Sequence, residues 1–84
     1  MKYRVLIVPH AEKELGQLPA HDYQATRDAI LELANNPRPP GCTKLQGREG
    51  WRIRQGDYRV IYEIDDEQHT VIILRVRHRR EAYR

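Results

Sequence analysis

The sequence predicts an α+β fold: one small domain over residues 1–84, in the order β-α-α-β-β-β, with an antiparallel-rich sheet carrying a two-helix hairpin on one face. Three observations carry this expectation. The chain has 84 residues, below the size at which chains divide into several domains. Apolar residues recur at helical spacing between Pro9 and Ala34. After the stiff linker Arg38-Pro39-Pro40-Gly41 the spacing changes to strict alternation.

Tyr3-Arg4-Val5-Leu6-Ile7-Val8 reads as an opening strand, rich in β-branched and aromatic side chains. Pro9 has a pre-set φ that suits a first helical turn. Ala11, Leu15 and Leu18 then form one stripe, with Glu12, Lys13, Glu14 and Gln17 on the other sides. Gly16 weakens this helix, and Pro19 ends it or caps it. A second helix is expected to start near Asp22, a favoured N-cap residue. Its spine is Tyr23, Ile30 and Ala34, with Ala29, Leu31 and Leu33 beside it. Asn35-Asn36-Pro37 stops it, because the residue before proline avoids helical backbone.

In the second half, Trp51 and Ile53 alternate with Arg52 and Arg54, and Gln55-Gly56-Asp57 turns the chain. Tyr58, Val60, Tyr62 and Ile64 then share one face, with Arg59, Ile61 and Glu63 on the other. Asp65-Asp66-Glu67 turns it again. Alternation in the last strand puts Ile72, Leu74 and Val76 on one face and Val71, Ile73, Arg75 and Arg77 on the opposite one. The helix hairpin buries the apolar face, so the open face is expected to hold Arg52, Arg54, Arg59, Arg75 and Arg77.

Charge sharpens this picture. Lys and Arg number 15 against 12 Asp and Glu, a net of +3. Residues 1–42 hold five basic and five acidic residues, so the excess lies wholly in residues 43–84, with ten and seven. Of the basic residues only Lys2, Lys13 and Lys44 are lysine. Arginine forks match phosphate oxygens and keep their charge when partly buried. A polyanion is the expected partner, with Lys44, Arg48, Arg75, Arg77 and Arg80 as candidate RNA contacts.

Other function classes fall away. The longest apolar stretch, Val71-Ile72-Ile73-Leu74, is far short of the ~20 residues of a membrane span. The N-terminal apolar run is too short for a signal peptide, and one cysteine makes no internal disulfide, so a cytoplasmic location is expected. His10, His21, His69 and His78 lack ligand spacing, so no metal or other cofactor is expected. Cys42 has no evident base beside it. Trp51, Tyr58 and Tyr62 fall on the core face. What remains is an arginine face with His78 and Tyr83, which fits metal-free RNA cleavage. There the ribose 2′-OH attacks the adjacent phosphorus, so the protein supplies charge stabilisation and positioning rather than a nucleophile.

The segment Lys44-Leu45, then Trp51-Arg52-Ile53-Arg54, then Gly56-Asp57-Tyr58-Arg59-Val60-Ile61-Tyr62, then His78-Arg79-Arg80-Glu81-Ala82-Tyr83, resembles the RelE branch of the RelE/ParE toxin superfamily. The Leu-Pro after the first helix and the Asn-Pro after the second also look like that family, and the resemblance spans essentially the whole chain. It implies a type II toxin that cuts mRNA in the ribosomal A site, with mRNA and ribosomal RNA as partners and a RelB-like antitoxin restraining it. By position, the resemblance implies that Arg52 and Arg54 line the cleft and Arg59 contacts the scissile phosphate. Arg79 is implied near the leaving group, with Arg80 a one-residue alternative, and Tyr83 stacks on an mRNA base.

One departure has chemical weight. The family's best-known basic pair is lysine, whereas Arg52 and Arg54 stay protonated and act electrostatically. Two readings of His78 stand: a proton-transfer group, or a strand-end histidine facing the core. A ParE-like inhibitor of DNA gyrase, which needs no phosphate-cleaving constellation, is the alternative function.

Overall fold

The computed structural model describes residues 2–80. Strands β1 (Arg4–Ile7), β2 (Thr43–Lys44), β3 (Trp51–Gln55), β4 (Tyr58–Asp65) and β5 (Thr70–His78) form one sheet in the order β1-β5-β4-β3-β2. β1 runs parallel to β5, and the other pairings are antiparallel. Helices α1 (Pro9–Gly16) and α2 (Ala20–Glu32) connect β1 to the linker. The expected order therefore holds, with β2 as an added two-residue strand opposite Arg52 and Trp51.

Pro9 stands at the start of α1, as its fixed φ favours. α2 starts earlier than Asp22. Pro19 takes the N-cap position, its carbonyl accepts the Tyr23 N–H at 2.8 Å, and Asp22 falls in the first turn. A carboxylate there still suits the positive helix end. The buried face of α2 also differs from the expected spine. Thr26 and Ile30 are buried on the helix and Leu33 just beyond it, while Leu31 points outward at 45% exposure.

The core joins Ala11 and Leu15 of α1, Ile30 and Leu33, and the sheet residues Ile53, Val60, Tyr62, Val71, Ile73 and Val76. The last strand overturns the simple alternation. Ile61 pairs with Arg75 but Tyr62 pairs with Ile73, so Leu74 is an extra residue in a β-bulge. Before the bulge Val71 and Ile73 face the core, and after it Val76 does. Ile72 and Leu74 are only half-buried, so they do not share the fully buried face with Val76.

Two tethers fix the connections. Tyr62 is fully buried, and its hydroxyl donates to the Pro37 carbonyl at 2.8 Å. Arg38 forms a forked pair with Asp66, 2.9 Å at the shorter contact, and the Tyr3 hydroxyl donates to the same carboxylate at 2.7 Å. These tie the α2–β2 linker and the start of β1 to the β4–β5 turn. Among the described residues no helix is long and apolar enough to cross a membrane.

Candidate active site

Register assembles the site. β3 and β4 are joined by the two-residue loop Gly56-Asp57, with Gln55 opposite Tyr58. Gly56 has φ 59°, at a hairpin position that favours glycine. This tight loop sets Arg54 opposite Arg59, and β5 sets Arg77 on the other side of Arg59. Three guanidinium side chains thus lie in one row across three strands on the open face. Arg52 lies one row further, opposite Ile61.

Arg59, at the centre of that row, is only 4% exposed. The Nε of Arg77 is buried and has no hydrogen-bond partner among the described residues. Cations gathered on one face favour an anion beside them. A cleft of about 340 Å³ opens here, lined by Arg54, Gly56, Arg59, Arg79 and Arg80. Arg52 and Arg54 also border a hollow of about 500 Å³ between the end of α2, Pro39-Pro40-Gly41 and β3.

The segment after β5 is held to the β3–β4 loop. The Arg79 N–H donates to the Asp57 carbonyl at 2.7 Å, and Arg79 Nε lies 3.7 Å from Asp57 Oδ1. The Arg80 N–H donates to His78 Nδ1 at 3.2 Å. Asp57 and its tether escape a sequence reading, although the Gly-Asp turn between two arginine-bearing strands is their signal.

Other expected residues are placed elsewhere. His78 lies opposite Tyr58 on the helix-covered side, with the two rings edge to face at 5.3 Å. It borders a hollow shared with Glu14 and Gln17, not the arginine cleft. Arg75 belongs to the row of Ile61, but its guanidinium reaches the β5 edge and pairs with Glu14 at 3.0 Å. Partial burial raises the Glu14 carboxyl pKa, but the Arg75 hydrogen bond, the Val76 N–H and the Arg75 charge outweigh it and hold the pKa down. Lys44 stands over the Trp51 ring at 5.4 Å, with Arg38 also over it at 5.1 Å. Trp51 itself is half-buried against the core. Arg48 is exposed in the loop between β2 and β3. Tyr83 lies outside the described residues. The far end of the same open face is acidic: Glu63, Asp65, Asp66 and Glu67 surround a shallow hollow of about 500 Å³. Among the described residues no three His, Cys, Asp or Glu side chains gather as metal ligands would.

The arrangement can hold a phosphate group and neutralise charge growing on it. Guanidinium donors fixed by a sheet need little reorganisation as that charge develops.

Comparison with known proteins gives the family. The family model for the ParE toxin of type II toxin–antitoxin systems matches residues 5–83. Toxin RelG of Mycobacterium tuberculosis is 37% identical over 86 residues, covering 100% of this chain and 99% of its own. The toxin–antitoxin complex RelBE2 of M. tuberculosis contains a chain that superposes with a TM-score of 0.84 at 32% identity, covering 93% of this chain and 92% of that one. The RelE–RelB complex of Pyrococcus horikoshii gives 0.83 at 33% identity, covering 94% and 97%. Fold, motif order and relatives converge, and the chain belongs to the RelE/ParE family of type II toxins, as a RelE-type member.

Proposed function

We propose that this toxin is a ribosome-dependent endoribonuclease that cuts mRNA in the A site, needs no metal, and acts in the cytoplasm where ribosomes work. The observation that carries the reading is Arg59, buried between Arg54 and Arg77 and opening into a cleft that Arg79 and Arg80 also line.

In this reaction the 2′-oxygen bonds to the adjacent phosphorus in line while the bond to the 5′-oxygen breaks. One fragment carries a 2′,3′-cyclic phosphate and the other a 5′-hydroxyl. Arg59, with Arg54, stabilises the phosphorane charge, and Arg79 faces the departing oxygen. Arg52 and Arg77 hold neighbouring phosphates, and Tyr83 stacks on a base. The guanidiniums do not accept the 2′-OH proton, which passes to solvent or ribosomal RNA, and the departing 5′-oxygen takes up a proton from solvent or ribosomal RNA. Binding on the ribosome supplies the positioning that so shallow a cleft lacks.

A RelB-like antitoxin restrains the activity. The support is that relatives of the same fold are complexes of toxin with RelB. Carboxylates from such a chain complement the arginine face.

Primer extension on mRNA in a translating extract tests the reading, with Arg79→Ala and Tyr83→Ala proteins in parallel. Cuts within codons that need ribosomes and fade in both variants are expected. Intact mRNA together with blocked gyrase supercoiling would move the assignment to the gyrase inhibitor. The ParE description of the matching family model keeps that second reading in view.

A further inference from the structure

We propose that His78 is a positioning residue: its Nδ1 atom tethers the backbone that carries Arg79 and Arg80 over the cleft. This rests on the nuclease reading and assigns a role to a side chain on the other face of the sheet.

The geometry is specific. His78 is the last residue of β5, and the Arg80 N–H two residues on donates to its Nδ1 at 3.2 Å. That spacing is the one by which Asn and Asp side chains close a turn on their own backbone. The ring is held edge-on by Tyr58, which lies directly opposite it in the β4–β5 ladder. On the far side of the segment, the Asp57 carbonyl takes the Arg79 N–H at 2.7 Å. Successive amides are therefore caught from two sides, by the β3–β4 loop and by the His78 ring. With the segment bent in this way, Arg79 and Arg80 line the cleft.

An imidazole accepts at Nδ1 only when that nitrogen carries no proton, and the imidazolium donates at both nitrogens. The groups packed toward the ring are Tyr58 of β4 and Glu14 and Gln17 of α1. The Glu14 carboxylate is occupied by Arg75 and the Val76 N–H. His10, one turn before Glu14, lies 3.6 Å from that carboxylate.

His78→Asn separates the possible roles. Asparagine keeps an acceptor at the δ position but cannot shuttle a proton at neutral pH, and it lacks the ring that packs on Tyr58. His78→Ala removes acceptor, ring and proton chemistry together. Single-turnover cleavage of ribosome-bound mRNA is measured for wild type and both variants. The expectation is a loss of about tenfold in the cleavage rate for His78→Ala, with KM little changed. His78→Asn should cleave near the wild-type rate. Equal impairment of the two variants, or a fully active His78→Ala, would overturn the proposal. Hydrogen exchange of the Arg80 amide in the free toxin gives a readout independent of activity. It should be slow in wild type and His78→Asn and fast in His78→Ala, and equal exchange in all three overturns the tether. A wild type that cleaves nothing yet shows this exchange pattern would refute the nuclease reading and leave the tether standing.

Discussion

Arg75 and Glu14, 61 residues apart in sequence, meet at the edge of β5 where β1 has ended. Nε and Nη2 of Arg75 donate to the carboxylate at 3.2 and 3.0 Å, and the same carboxylate accepts the Val76 N–H at 2.9 Å. A side chain of α1 thereby caps an exposed stretch of strand edge, which would otherwise invite pairing with another chain.

This contact predicts an acid-sensitive element of stability. The Glu14 pKa is lower in the folded chain than in the unfolded one, so its contribution is complete above the ordinary glutamate range and is lost as pH falls through the folded value. Glu14→Gln should cost about 1 kcal/mol near neutral pH, since Arg75 is partly solvated. Urea titrations should show that gap closing as pH falls below the ordinary glutamate range. A gap that stays constant with pH would contradict the assignment.

Arg59 should separate function from stability. Arg59→Ala is expected to lower the cleavage rate by about a hundredfold or more, as loss of a fixed donor at a charged transition state does. The melting temperature should fall by only a few degrees, because Arg59 lies on the open face of the sheet, outside the apolar core of Val60, Tyr62 and Val76. Thermal melts and single-turnover rates on the same preparation decide it. A collapse of the fold would mean that Arg59 is structural first.

Arg54→Lys tests the missing base. A lysine ammonium in a row with Arg59 and Arg77 has its pKa depressed by like charge, so part of it is free amine in mildly alkaline solution. The variant should gain about tenfold in rate between neutral and mildly alkaline pH. Wild type, with arginine there, should lack that rise, and identical profiles would exclude residue 54 from proton transfer.

The Arg38–Asp66 pair is testable without activity. Hydrogen bonds from Arg38 and then from Tyr3 hold the Asp66 carboxyl down to about 2. In Arg38→Ala a carbon-detected NMR titration should move it up toward the ordinary aspartate range near 3.9. No movement would mean that Tyr3 alone sets it.

Much of the fold was legible because period and punctuation agree. Ala11 and Leu15 kept their helical stripe, Trp51 and Ile53 alternated against Arg52 and Arg54 as expected, and Gly56-Asp57 turned the chain. The last strand was not legible. Val71-Ile72-Ile73-Leu74 is apolar at every position, so no alternation marks where the bulge falls. Only pairing with Tyr62 and Ile61 decides that Leu74 is the extra residue. Thr26 was passed over because a hydroxyl residue does not read as core, yet it is 1% exposed. At the site, Arg54, Arg59 and Arg77 follow from parity and local turns. The tether through Asp57 depends on backbone atoms, whose partners no residue type announces.

The open face also has a direction. Its arginine row lies near the β3–β4 loop, and Glu63 and Asp65 lie at the other end, towards the β4–β5 turn. The sheet therefore carries an in-plane dipole as a compass needle does. Near a polyanion a tumbling molecule is turned before it touches, cleft end foremost, and encounters led by the acidic end are pushed away. Orientation is thus selected at a range of roughly one Debye length, about 8 Å at physiological salt. Added salt shortens that range and leaves the alignment to chance collisions.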